Sequence, residues 1–373
     1  MLLLSLLAPV ARAEAIRIAT FNVDLSRDGP GVLLAELTTE PGQRALAAVR
    51  VIQAVRPDVL VIQKFDHDLR GRALAAFADL LRAGPEGIDY PHRFAAPVNA
   101  GLPSGFDLDD DTLLMGWDDA LGWGKYPGHG GMAALSRLPL DEAAARTFRS
   151  LLWRDLPGAQ LPIRADGAPF FTPETQAILP LSSRSHWDLP VILPDGGRLH
   201  LLTANPTPPL FDGPEGRNRL RNRDEALFWV QYLDGAAYAD DQGRTMPAPD
   251  APLVMIGDLN LDPFDGRGDT AALERLLAHP RLQDPAPASQ GAVAAAAVQR
   301  GANARHRGPA AQDTADWRDD PGPGNLRVSY VLPSAELAVE ASGVFWPAPD
   351  DPAAAALADG PPHHLVWVDI RLP

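Results

Sequence analysis

Four apolar runs in this sequence end in side chains that can do chemistry: IRIATFN stops at Asn22, VLVIQKFD at Lys64 and Asp66, LHLLTAN at Asn205, and LVMIGDLN at Asp258 and Asn260. Carboxylates hold hard cations or orient water, whereas amides and an ammonium group hold anions. Short runs rich in Val, Ile and Leu read as buried strands. Side chains at strand ends converge on the crevice where layered α/β proteins place their sites. Each run alone is a weak signal. The GDLN of Gly257 to Asn260, for instance, also reads as a turn in which Asp and Asn bond the local backbone.

Other residues carry separate signals. Asp107, Asp109, Asp111 and Asp118 fall at positions 1, 3, 5 and 12 of an EF-hand-like loop, where oxygen ligands would hold Ca²⁺. Thr112 stands where the turn glycine belongs, and Asp118 replaces the usual Glu, so a solvated acidic loop is the competing reading. Arg217, Arg219, Arg221 and Arg223 suit either a basic groove or the solvated face of a helix. His186 and Trp187, beside Asp188, read as packing and hydrogen-bonding residues of a strand. The eight Trp, among them Trp117, Trp123, Trp153 and Trp346, read as core.

The elements that must position these residues follow from periodicity. Strands are expected at Ile16 to Phe21, Val59 to Ile62, Met132 to Leu135, Leu179 to Ser183, Val191 to Leu193, Leu199 to Thr203, Leu253 to Ile256, Val328 to Leu332 and Val366 to Ile370. Helices are expected at Gln43 to Val55, Leu74 to Leu81, Arg217 to Leu233 and Thr270 to His279. Ala95 to Lys125 has no period and reads as a structured loop, and Pro285 to Ala315, rich in Ala, Gly, Gln and Pro, as a surface excursion. Helices alternate with strands, which predicts a layered α/β or α+β architecture with the sheets inside. No internal repeat is present, and residues 16–373 read as a single domain.

Composition narrows the function. With 48 acidic against 33 basic side chains the net charge is -15, which argues against a general grip on nucleic acid. No cysteine is present, so any metal must be held by oxygen or imidazole. Pro 38 and Gly 32 make about a fifth of the chain, against an ordinary share of about 12%, and predict long, stiff loops. Residues 1–15, MLLLSLLAPVARAEA, read as a signal peptide cut after Ala13, which would place the mature chain in the periplasm or outside the cell. The positive n-region is missing, and an N-terminal strand is the other reading. No later run approaches the ~20 apolar residues that insert stably in a membrane.

Taken in order, TFN at Thr20 to Asn22, PDVLVIQ at Pro57 to Gln63, GGMAALSRLPL at Gly130 to Leu140, SHWDLPV at Ser185 to Val191, PTPPLFDGPEGRN at Pro206 to Asn218, IGDLNLDPFDG at Ile256 to Gly266, RVSYVLPS at Arg327 to Ser334 and HHLVWVD at His363 to Asp369 form a more specific pattern. The chain resembles the endonuclease/exonuclease/phosphatase superfamily, of DNase-like fold, and within it a bacterial secreted branch. The resemblance implies a four-layer sandwich of two mixed β-sheets flanked by helices. It also implies in-line attack of water on a phosphate ester, with Mg²⁺ or Mn²⁺ neutralising charge on the phosphoryl oxygens. By the same resemblance Asn22, Asp258, Asn260 and His363 fall on catalytic positions, with Asp258 also a metal ligand.

Elsewhere the chain departs from that pattern. Lys64 stands where the family's metal-binding Glu follows the strand Gln, Asn205 where a His precedes the PTPP segment, Ser329 where the RVDY-type strand has Asp, and Pro362 where an Asp precedes the C-terminal His. Three carboxylates are lost and an ammonium is gained, so the protein part of the site is four charges more positive than in a typical relative. Like charges ~4 Å apart cost about 4 kcal/mol at an effective dielectric of 20, which sets Lys64 against a bound cation. Three readings stand open. Lys64, Asn205 and His363 bind a small phosphate ester or other anion, with weak or no hydrolysis, as a pseudoenzyme; the cleft has decayed and binds nothing; or Asp66 or Asp24 replaces the lost ligand and metal-dependent phosphodiesterase or phosphatase activity remains.

Overall fold

The computed structural model describes residues 15–114 and 116–372, so the expected signal peptide lies outside the described residues apart from Ala15. The first half of the chain supplies β1 (Ala15–Leu25), α1 (Val32–Thr39), α2 (Gln43–Val55), β2 (Val59–Phe65), α3 (Arg72–Arg82), β3 (His92–Phe94) and β4 (Gly131–Ser136). There follow β5 (Arg146–Thr147), α4 (Pro173–Gln176), β6 (His186–Ile192), β7 (Arg198–Ala204) and α5 (Arg217–Leu233). A small ribbon of β8 (Tyr238–Ala239) and β9 (Thr245–Met246) precedes β10 (Leu253–Asp258), α6 (Ala271–Leu277) and α7 (Gln290–Val298). A second ribbon, β11 (Ala315–Asp316) with β12 (Asn325–Leu326), leads into β13 (Ser329–Pro333), β14 (Ala338–Val344) and β15 (Val366–Arg371).

Two mixed sheets result, in the orders β14-β15-β1-β2-β4-β3 and β13-β10-β7-β6-β5. Alternation along each strand decides what each face buries. Ile18, Val59 and Val61 of the first sheet meet Leu201, Val254 and Ile256 of the second in the layer between the sheets. Their neighbours Ala19, Leu60 and Ile62 face outward onto Val49, Ile52 and Phe77 of the helices. Leu202 and Met255 pack in the same way under Phe228, Trp229 and Leu273 of α5 and α6. Both faces of each sheet are therefore covered, which is why the strands read as continuous apolar runs. The four-layer sandwich is the architecture expected from the sequence.

Several expectations need correction. Leu179 to Ser183 is not a strand: it forms only an isolated bridge to Leu152, while Arg221 donates to the Leu181 and Ser182 carbonyls, Asn99 to the Ser182 carbonyl, and the Ser183 N–H donates to Glu225. Val191 to Leu193 is only the end of β6, which begins at His186. The excursion at Pro285 to Ala315 contains α7, capped by Ser289, whose hydroxyl accepts from the Ala292 N–H. Its run of alanines has no apolar/polar contrast from which a period can be read. Trp153 and Trp346 are buried, but Trp117 and Trp123 are exposed on the loop before β4.

Beside the polar strand ends, a glycine is required by close approach. In β10, Gly257 has φ 151°, and a Cβ built there would lie 2.4 Å from the Ala204 carbonyl oxygen of the adjacent β7. We expect Gly257→Ala to lower the unfolding free energy by about 2 kcal/mol, since the strand cannot step away without breaking its ladder. Denaturant unfolding measures this, and an unchanged midpoint would show that the strand yields cheaply.

Candidate functional site

Parallel pairing brings the polar strand ends together. β1 and β2 run parallel with Asn22 opposite Gln63, and β7 and β10 run parallel with Ala204 opposite Gly257. Each pair therefore delivers its C-terminal end to the same edge of its sheet, and the two edges adjoin. Beyond those ends the backbone turns sharply: Asp24, Lys64 and Asn260 all take left-handed conformations, with φ of 48°, 55° and 54°. The ladder skips from Asn22/Gln63 to Leu25/Phe65. That irregularity, of the bulge type, re-aims the Lys64 side chain toward the site.

Asp258 is the hub. Its Oδ2 accepts from Asn22 Nδ2 at 2.7 Å and its Oδ1 from the Asn260 backbone N–H at 3.0 Å. Asn205 Nδ2 donates to the Asp258 carbonyl at 2.9 Å, and Asn260 Nδ2 to the Pro206 carbonyl at 2.9 Å. Asn22 Nδ2 also lies 3.2 Å from His363 Nε2, and His363 Nδ1 is 3.9 Å from Asp258 Oδ2. Asn22, Asn205, Asp258, Asn260 and His363 are thus one connected group, and Lys64 lines the cavity above it with Asn22, Asn260 and His363. Three buried polar atoms of this floor have no partner: Asn205 Oδ1, Ser329 Oγ and His363 Nδ1. Ser329 pairs with Asp258 across the β10–β13 ladder.

Two cations, Lys64 and Arg184, stand close together among Asp258, Asp24 and Asp66. Burial lowers the Lys64 ammonium from its ordinary 10.5 to about 7, and the nearby Arg184 pushes the same way against Asp258, Asp24 and Asp66. A Cβ at Gly130 would touch the Lys64 stem at 3.4 Å and Arg184 at 3.8 Å, so both cations flank one point of the chain. Arg184 is buried, and its Nε donates to the Gly130 carbonyl at 2.7 Å. Sequence reasoning passed over Arg184, although a lone Arg directly before a buried strand is the available signal. Burial also holds His363 below the ordinary imidazole value, so it is neutral at neutral pH.

Other candidates have different surroundings. Asp66 does not line the cavity; its carboxylate accepts from the Arg27 and Gly130 N–H groups at 2.8 Å each and from the Tyr126 hydroxyl at 2.6 Å. It ties three loops together rather than facing a metal. Asp24 lines the cavity but is paired with Arg44. Of the acidic loop, Asp107 and Asp109 converge with Asp119 within 4.8 Å, whereas Asp111 and Asp118 do not join them. Asp107 and Asp119 already accept backbone N–H groups of their own loop. The arginines of α5 form no groove: Arg221 is buried against four carbonyls, Arg217 pairs with Glu215 and Arg223 with Asp224.

A divalent cation does not fit the Asn22–Asp258 cleft. The only set of three His, Asp or Glu side chains with converging ligand atoms among the described residues is Asp107, Asp109 and Asp119. Asp258 has both oxygens engaged, Asp24 is paired with Arg44, and Asp262 and Asp265, farther along the same cavity, accept backbone N–H groups, whereas hard cations need several free oxygens.

Fold and site together define a phosphoesterase scaffold. The model of the Endonuclease/Exonuclease/phosphatase family matches residues 19–362, and the chain belongs to that family, whose members act on phosphate esters and typically depend on divalent metal. Among solved structures, the chain is similar to an endonuclease/exonuclease/phosphatase from Beutenbergia cavernae DSM 12333, with 19% identity and a TM-score of 0.51 over 96% of this chain and 72% of that one. It is also similar to a family protein from Leptotrichia buccalis C-1013-b, with 14% identity and a TM-score of 0.48 over 96% of this chain and 100% of that one. No curated protein matches the chain. No helix among the described residues is long and apolar enough to cross a membrane.

The lysine has a measurable signature. Between pH about 7 and 10.5 the unfolded chain holds a Lys64 proton that the folded chain has lost, so stability rises with pH across that window. Denaturation at pH 7 and pH 9.5 will show Lys64→Met with a smaller gain than the parent protein. An equal gain in both would mean that Lys64 titrates normally.

Proposed function

We propose that this chain binds a phosphate ester, or another tetrahedral anion, in the cleft between Lys64, Asn22, Asn205 and His363, and hydrolyses it weakly or not at all. The observation that carries the reading is that Lys64 lines the cavity with Asn22 and His363, that Arg184 lies next to its stem, and that Asp258 has both oxygens engaged. In the family a metal supplies the positive charge that meets the phosphoryl oxygens; in this chain Lys64 supplies it. Ser329 Oγ and His363 Nδ1, buried in the floor beneath the cleft, have no protein partner. Asp258 positions this group through Asn22 and Asn260.

The same residues explain why hydrolysis is weak. Pro362 gives His363 no preceding carboxylate, and burial outweighs the basicity that Asp258 and Asp24 lend it. Neutral and buried, His363 is a poor acid for a leaving group. The remaining Asp258 carboxylate can orient a water, but no group in the cleft generates hydroxide from it at neutral pH.

Isothermal titration with sulfate, whose charge is constant across the range, tests this reading. Affinity should fall roughly tenfold per pH unit above about 7, as Lys64 loses its proton, and Lys64→Met should weaken binding at pH 6 at least tenfold. Mn²⁺ should produce no heat that Asp258→Ala removes. Micromolar Mn²⁺ binding lost in that variant, together with metal-dependent turnover of bis(4-nitrophenyl) phosphate, would instead establish an active phosphoesterase.

A further inference from the structure

A cavity of about 950 Å³ opens from the anion cleft, large enough for an organic group far bigger than a phosphate. Its walls come from two places. The loop after β7 contributes Pro208, Pro209, Leu210 and Phe211, and the β11–β12 ribbon contributes Trp317 and Leu326. The Trp317 indole meets His363 edge-on, with ring centroids 5.1 Å apart, so this wall begins where the anion site ends. On the lining of the same cavity Phe211 is 85% exposed and held at φ 63°, a conformation that a bulky side chain rarely adopts. An aromatic ring kept out in water beside an apolar wall is a surface waiting for contact.

Two further observations define the guest. Pro208, Pro209, Pro321, Pro323 and Pro362 all border the cavity, and their fixed rings make flat, unyielding faces. Such walls suit a planar ring better than a hydrocarbon chain that needs adaptable side chains around it. At the mouth stand Arg267, Arg305 and Arg318, all exposed and none with a carboxylate within 4.0 Å among the described residues. The acids nearby are already engaged: Asp262 accepts from the Phe264, Asp265 and Arg327 N–H groups, and Asp265 from those of Arg307 and Gly308. On a chain of net charge -15, three guanidiniums without a carboxylate partner on one cavity favour an anionic ligand.

We infer that the ligand is an aromatic phosphate ester, its phosphate at Lys64 and His363 and its ring between Phe211 and Trp317. The inference rests on the anion-binding reading above and adds the chemical class of the organic group.

Isothermal titration of the full chain with 1-naphthyl phosphate, glycerol 3-phosphate, hexyl phosphate and inorganic phosphate tests it. Naphthyl phosphate should bind at least tenfold tighter than each of the other three. In Phe211→Ala, a change at an exposed position that leaves the circular dichroism spectrum intact, and in Trp317→Ala, the ratio of naphthyl phosphate to inorganic phosphate affinity should fall toward one. Naphthyl phosphate no tighter than glycerol 3-phosphate, with inorganic phosphate still bound, would overturn this inference and leave the anion-binding reading standing. Hexyl phosphate as tight as naphthyl phosphate would overturn the preference for a ring. Failure of every phosphate to bind would remove both readings together.

Discussion

The hydrogen bond from Asn22 Nδ2 to Asp258 Oδ2 joins the two halves of the molecule at their polar edge. β1 belongs to one sheet and β10 to the other, and between them the interior is otherwise filled by Ile18, Val61, Val254 and Ile256. Apolar contact is nondirectional and lets two sheets slide; a buried charge-assisted hydrogen bond does not. Removing either partner strands the other in a buried site, at a cost of about 1–3 kcal/mol. The bond therefore fixes where the two strand ends meet, and Asn205, Asn260 and His363 take their places relative to it.

That constraint explains how a site can change its charge without losing its shape. Asp258 keeps its place because the Asn22 amide and the Asn260 backbone N–H both donate to its oxygens. Lys64 contributes to none of these bonds; its stem packs by Gly130 and its ammonium faces the cavity. Exchange of a carboxylate for an ammonium at this position reverses the local field while leaving the framework of hydrogen bonds intact. The cost appears as the depressed Lys64 pKa, set first by burial of the ammonium and then by the nearby Arg184.

Much of this was legible in the sequence because burial on both faces leaves a strong record. Val59 to Ile62 and Leu253 to Ile256 could be placed as strands, and Asn22, Asp258 and Asn260 as neighbours, from apolar runs and the order of motifs. What escaped was local chemistry set by distant partners. Leu179 to Ser183 has a strand's composition, yet Arg221, Asn99 and Glu225 take its hydrogen bonds. Asp66 looked like a ligand until Tyr126 and the Gly130 N–H, remote in sequence, claimed its carboxylate. Arg184 was invisible because its role depends on Lys64 and Gly130 meeting it from another sheet. The acidic loop kept its spacing but chose Asp119 over Asp118, since a turn rather than a helix sets the direction of each side chain.

The left-handed turns at Asp24, Lys64 and Asn260 have a consequence for how this scaffold changes over time. Asp24 and Lys64 sit at the irregularity near the ends of β1 and β2 and Asn260 just past β10, where the ladder is interrupted or has ended. A substitution there is filtered by what the cleft must hold, whereas one inside a strand is filtered by packing on both faces. The molecule thus separates two inheritances: a body that tolerates little, and a rim of hinge-like positions where a different chemistry can be tried without refolding the protein.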